Sequence, residues 1–399
     1  MSITAYKARF IAVNPKKILK NEYIHIEAGT IIEVSPRILP QTERVINLGD
    51  GIIISALINT HTHLELSAFK NQISYKYGFK KWVKTLLEKR ENTDKKILID
   101  AAKKAAIELL NTGCAVCAEI STLKLTKQIF AELNFAGVWF EEKLKNDLPD
   151  NFKINKTDRI KTRQNRYYSY AGHAPHTTSP FLLAGLKKET KKAGLPFSIH
   201  TAESAEETEF ITTGKGEWAE FLAERNVDYK GWGLPAKSSV SHLENLNILD
   251  RLTILVHLTF ASEEDLRIIK KRGANICLCP RSNYNLHDKL PSIETILKLG
   301  INACFGTDSL ASADTLDILD ETAFIAKKFP EISAEKLLGM ATINGAKALG
   351  IEESYGTIEK GKKAFFLYLP VKASDKKAAL KAALRKQFNG KRVFIDSFQ

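Results

Sequence analysis

Between residues 53 and 330 the chain alternates short apolar runs with segments of helical periodicity. The apolar runs fall at 53–58, 115–120, 136–141, 167–172, 197–200, 253–257, 275–279 and 302–306, eight in all. Consecutive apolar positions over so short a span read as strands buried on both faces. Helical periodicity follows most of them, at 96–111, 124–133, 181–193, 217–226, 262–272, 291–299 and 314–328. Ser262-Glu263-Glu264-Asp265 reads as a capped helix start and Gly273 as its stop. The stretch 142–166 is polar and helix-poor, so the third unit is irregular. Strands alternating with helices imply parallel strands joined by crossovers. Eight such units fit a (β/α)8 barrel, typically about 250 residues. An open doubly wound sheet fits less well, because no glycine-rich phosphate turn follows the first run.

The ends follow a different rule. Residues 8–13, 23–27 and 30–34 read as short strands, the last two joined at Gly29. Residues 364–369 and 392–395 read the same way, with an amphipathic segment at 372–387 expected as a solvated surface helix. Neither end alone can bury a core. The expected organisation is 1–54 and 348–399 pairing into one small β-sandwich beside a barrel at 55–347.

The 399 residues are 44% hydrophobic, enough for a large core. No apolar run reaches the roughly 18 residues that span a bilayer, and the N-terminus lacks a signal-like apolar segment. Five cysteines are too few for a disulfide scaffold and suit reduced core thiols in the cytoplasm. Cys114 and Cys117 have CxxC spacing, but they lie in a strand-like run with no second pair nearby. The net charge of +13 permits nucleic-acid binding. However, the lysines are scattered over every helix-like segment, which argues for a generally basic solvated surface.

A barrel carries its functional side chains at the C-terminal ends of its strands. Five of the nine histidines stand at such positions. His61 and His63 follow the first run, His173 the fourth, His200 ends the fifth and His257 the sixth. Asp308 follows the eighth. Residues i and i+2 of a strand point the same way, so His61 and His63 can converge. A lone histidine is usually a satisfied core residue, but the same placement on several strands argues for one shared site. Imidazoles and a carboxylate can bind a divalent metal and leave a position for water, whose pKa the metal lowers towards neutrality. Glu203, three residues after His200, can reach that water as a proton shuttle. Glu65 is its rival by proximity, with a polar contact inside the first loop as the simpler role. His242 reads as surface polar.

The segments His61-Thr62-His63-Leu64-Glu65, His200-Thr201-Ala202-Glu203, Leu255-Val256-His257, Cys279-Pro280-Arg281-Ser282-Asn283, Gly306-Thr307-Asp308-Ser309 and Ala341-Thr342-Ile343-Asn344-Gly345-Ala346 resemble, in order and over nearly the whole chain, motifs of the amidohydrolase superfamily. The resemblance is to the branch of cytosine, adenosine and guanine deaminases and of chlorohydrolases. It implies a barrel flanked by a β-sandwich built from both termini. It also implies one divalent metal, zinc or iron, held by His61, His63, His200 and Asp308. Glu203 would pass a proton from water to the ring nitrogen beside the attacked carbon. His257 and Asp308 would orient the hydroxide and help protonate leaving ammonia. His173 matches a substrate-contacting position, and His176 stands where relatives often have tyrosine. Binuclear members use a carboxylated lysine on the fourth strand. The run Tyr167–Gly172 contains none, which argues for a single metal and for deamination of an aromatic amidine-like ring.

The run His61–Ser67 further resembles aminofutalosine deaminases, whose substrate carries an aromatic carboxylate. Arg281 offers a partner for such a group, with a structural salt bridge as its alternative. Two other readings stay open. One keeps the metal and displaces chloride or alkylamines from triazine rings. The other is a non-catalytic metal- or nucleic-acid-binding protein on the same scaffold, against which the retained Glu203 argues. The expected partners are a small heteroaromatic substrate and water, with no membrane or nucleic acid, and a homodimer as the assembly.

Overall fold

The computed structural model describes residues 2–145, 166–388 and 390–396. Most of the irregular stretch 142–166 therefore lies outside the described residues. Eight parallel strands follow one another in chain order: Ile58–Thr62, Val116–Ser121, Ala136–Lys143, Arg166–Gly172, Phe197–Thr201, Thr253–His257, Asn275–Leu278 and Ala303–Phe305. They are numbered one to eight below. Seven fall where the apolar runs place them, and the helices Lys95–Asn111, Pro180–Ala193, Glu263–Arg272 and Ile318–Lys328 match their periodic segments. Ser262 caps its helix as read, with Asp265 as reciprocal partner, and Gly273 ends it in a left-handed conformation.

Strand one meets strand eight through a few bonds at their C-terminal ends. Thr60 Oγ1 donates to the Phe305 carbonyl at 2.6 Å, and the His63 amide to the Asp308 carbonyl at 3.1 Å. Gly306 permits this approach. A Cβ there would lie 2.7 Å from Cys277 Sγ and 2.8 Å from the Cβ of His61.

The first apolar run departs from expectation. It is two strands, not one. Ile52–Ser55 joins a five-stranded outer sheet, and only Ile58–Thr62 enters the barrel. Ile53 packs with Ile11 and Phe366 in the sandwich core, while Ile52 and Ile54 face the barrel-side core with Leu367 and Leu369. Both faces are buried, so no polar alternation marks the break.

The outer sheet runs Val393–Asp396, Phe365–Leu369, Ile52–Ser55, Phe10–Asn14, Lys17–Lys20. A four-stranded sheet of Thr30–Ser35, Tyr23–Glu27, Ile3–Lys7 and Thr42–Asn47 shares its core. Both termini thus contribute to the sandwich. The helix Lys376–Leu384 is not a solvated surface helix. Ala379, Leu380, Ala383 and Leu384 are fully buried in the barrel-side core, and Thr322 Oγ1 donates to the Leu384 carbonyl at 2.8 Å. Among the described residues no helix is long and apolar enough to cross a membrane.

The C-terminal face of the barrel carries more helix than the periodicity indicated. Phe79–Glu91 follows strand one, Ala205–Thr213 and Ser239–Asn245 flank Glu217–Glu224 after strand five, and Pro280–His287 follows strand seven.

Candidate metal centre and its surroundings

His61, His63 and His200 bring their Nε2 atoms together. His200 Nε2 lies 3.2 Å from that of His61 and 3.4 Å from that of His63. Asp308 Oδ1 is 3.8 Å from both His61 Nε2 and His63 Nε2. Backbone pairing explains the meeting of chain segments nearly 250 residues apart. The Asp308 amide donates to the His61 carbonyl at 3.1 Å, and Thr62 Oγ1 to the Asp308 carbonyl at 3.0 Å. Burial first, then the neighbouring imidazoles, hold His61 well below its ordinary pKa and bring His200 down to about 4. Neutral imidazoles are the form that ligates a metal. His200 Nδ1 donates to the His173 carbonyl at 2.7 Å, which leaves the Nε2 lone pair directed at the cluster. The residues present therefore fit one divalent cation.

Around this cluster the carboxylates and the fourth imidazole are held by named partners. Asp308 Oδ2 accepts from Ser282 Oγ at 2.6 Å and Ser312 Oγ at 2.7 Å, freeing Oδ1 for the cluster. His257 Nδ1 meets Asn283 Oδ1 at 2.7 Å, so its Nε2 faces Glu203 Oε1, 3.6 Å away. Burial pushes the Glu203 carboxyl up, but His257 and then His287 outweigh it and hold it well below the usual range. Glu207 fixes the turn that carries Glu203, accepting from the Ala202 amide at 2.7 Å and the Glu203 amide at 2.9 Å. Ala202, His257 and Asp308 all adopt positive φ, +50°, +77° and +57°. Such conformations cost about 1–3 kcal/mol each in a non-glycine residue, and here they stand at the ends of strands five, six and eight.

The side chains outside the cluster form a closed circuit. From His200 it passes to His173 (ring centroids 5.0 Å apart), His176 (6.5 Å), Trp218 (4.5 Å), Phe79 (6.1 Å) and His287 (4.8 Å). It returns through Glu203, 3.9 Å from His287 Nε2, and through His257, whose ring stacks 5.3 Å from His200.

The Amidohydrolase family description matches residues 52–397. The chain belongs to this family. It is 26% identical over 386 residues to a 5-methylthioadenosine/S-adenosylhomocysteine deaminase of Caldanaerobacter subterraneus, covering 91% of this chain and 83% of that one. The crystal structure of Helicobacter pylori aminofutalosine deaminase superimposes with a TM-score of 0.82 at 23% identity, covering 98% and 100% of the two chains. A Xanthomonas campestris adenosine deaminase with bound zinc superimposes with a TM-score of 0.78 at 20% identity, covering 96% and 88%. At these identities the two structures establish the shared fold.

In this amidohydrolase not every residue singled out from sequence reaches the centre. Arg281 makes the salt bridge given as its alternative role. Its Nη2 donates to Asp314, its amide donates to Glu321 Oε2 at 3.1 Å, and its Nε lies 4.0 Å from Glu321 Oε1. The guanidinium is thereby committed to a structural salt bridge. His176 is buried behind His173 with Nδ1 3.7 Å from Glu207, and burial brings it down to about 3. Glu65 braces the first loop, accepting from Ser121 Oγ at 2.6 Å and the Thr122 amide at 2.8 Å. His242 is buried, not surface polar. All five cysteines are buried free thiols, and burial pushes Cys114 up to about 12, so the CxxC pair is inert.

Glu142, His173 and His200 form a second group of potential ligands. His200 Nδ1 already donates to the His173 carbonyl and His173 Nδ1 bonds Thr177 Oγ1 at 2.6 Å, so these two nitrogens are engaged, while Glu142 Oε1 has no hydrogen-bond partner. Strand four, Arg166–Gly172, carries no lysine. Ser282, Asn283, Ser312, Glu207 and His287 were assigned no role from sequence. Asn283 and His287 stand four residues apart on one helix, a spacing that puts both on one face.

Proposed function

We propose that this amidohydrolase removes an amino group from a purine-type ring, releasing ammonia. The observation that carries the reading is the placement of Glu203 Oε1 3.6 Å from His257 Nε2, beside three converging imidazoles and Asp308. A divalent metal, zinc or iron, held by His61, His63, His200 and Asp308 would supply Lewis acidity and lower the pKa of a water towards neutrality. Glu203 takes a proton from the attacking water and delivers it to the ring nitrogen beside the amino-bearing carbon. That protonation makes the carbon the better electrophile. His257, its tautomer fixed by Asn283, accepts a hydrogen bond at Nε2 and orients the water. Asp308 holds the second proton for the leaving nitrogen. The C–O bond forms first and makes the carbon tetrahedral; the remaining hydroxyl proton then passes by way of Asp308 to the amino nitrogen, and the C–N bond breaks to release ammonia.

His173, beside His200 on the circuit, contacts the substrate. Relatives named for deamination of adenosine-type nucleosides support this substrate class. The run His61–Ser67 supports an aminofutalosine-like nucleoside within it.

A product assay tests the reading. Protein loaded with zinc or iron is expected to release ammonia from at least one of adenosine, methylthioadenosine, S-adenosylhomocysteine and aminofutalosine. Chloride release from a chlorinated triazine without ammonia from any nucleoside would transfer the chain to the chlorohydrolases. No turnover on either panel would leave a non-catalytic metal-binding protein.

A further inference from the structure

His287 closes the helix Pro280–His287 after strand seven. Its side chain is 4% exposed, and its Nε2 has no hydrogen-bond partner although it is buried. That atom faces Glu203 Oε1 at 3.9 Å. The ring is held in this direction from two sides, with Phe79 at 4.8 Å and Phe260 at 5.9 Å between centroids. A buried polar atom without a partner costs about 1–3 kcal/mol. A side chain locked by aromatic neighbours with such an atom aimed at a carboxylate is placed for that carboxylate. One helical turn earlier, Asn283 fixes His257, which faces the same Oε1.

We infer that His287 is a positioning residue for the Glu203 proton shuttle. With its proton on Nε2 and the 3.9 Å separation closed by a small side-chain shift, it donates to Oε1 and holds the carboxylate in one rotamer, leaving Oε2 to exchange protons with water and the ring nitrogen. The inference rests on the proposed role of Glu203. It gives the helix after strand seven two tasks on one face: Asn283 sets the tautomer of His257, and His287 sets the direction of Glu203.

Steady-state kinetics of a double-mutant cycle test it. His287→Phe keeps a ring between Phe79 and Phe260 but removes the donor, and His287→Gln restores an N–H. Expected for His287→Phe is a fall in kcat of about 10- to 100-fold, the scale of one hydrogen bond to a charged group. KM should stay within about twofold, metal content should be normal, and His287→Gln should recover most of the loss. In a Glu203→Gln background the His287→Phe loss should vanish, because the two residues act as one unit. Additive losses, or a rise in KM that persists in that background, would overturn the inference and make His287 a substrate contact or a packing residue. If Glu203→Gln alone leaves kcat unchanged, the shuttle role itself fails, a result separable from the failure of His287.

Discussion

His61, His63, His200 and Asp308 converge because strand register puts them there, whereas Phe79, Trp218 and His287 reach the same face from helices in the loops. The first group is fixed by ladders: His61, Thr62, His63 and Asp308 share backbone bonds across the barrel seam. The second is fixed by packing. Phe79 stacks on Trp82 and meets Trp218 edge-on, and the helices beneath them are joined at the surface by Lys80–Glu220 and Lys84–Glu224. Strand-borne groups can be positioned tightly with little freedom to repack. Helix-borne groups depend on apolar contacts and can be altered without moving the ligands.

This contrast sets an order of expected effects. The largest concerns the strand ends. His200→Ala should lose bound metal and about three or more decades of kcat/KM, since a metal supplies several kcal/mol of transition-state stabilisation. Its fold, followed by circular dichroism, should persist. Unfolding of this variant would erase the distinction between ladder and site. Next comes the wall. Phe79→Ala, at a buried position, should lower stability to urea by about 3 kcal/mol while metal content stays normal. Metal loss on this substitution would show that wall and cluster are one unit. The smallest effect belongs to Lys84→Ala, a half-exposed pair with Glu224. It should change stability by less than about 1 kcal/mol and leave KM unaltered.

The same contrast explains what the sequence made legible. Seven barrel strands and the convergence of His61, His63 and His200 were readable because a strand end marks a face, and histidines recurring at that place share a target. The Ile52–Ile58 run misled because Ile53 and its neighbours are buried on both sides, so nothing polar marks the crossing from sandwich to barrel. Lys376–Leu384 misled because alanines and lysines read as solvated until the sandwich and barrel close over Ala379 and Ala383. Arg281 lies in a motif next to the site, yet Asp314 and Glu321, distant in sequence, decide where its guanidinium points. His287 was hidden because its significance depends on Glu203, on another loop, and on two phenylalanines that no spacing rule brings to it.

The most direct test is metal analysis and ammonia release measured together on Glu203→Gln. Expected is metal bound as in the unmodified chain, with kcat lowered by roughly two or more decades, the scale of a lost acid–base group. Unchanged ammonia release, or metal and activity lost in parallel, would contradict a strand-end metal centre served by a separate proton shuttle.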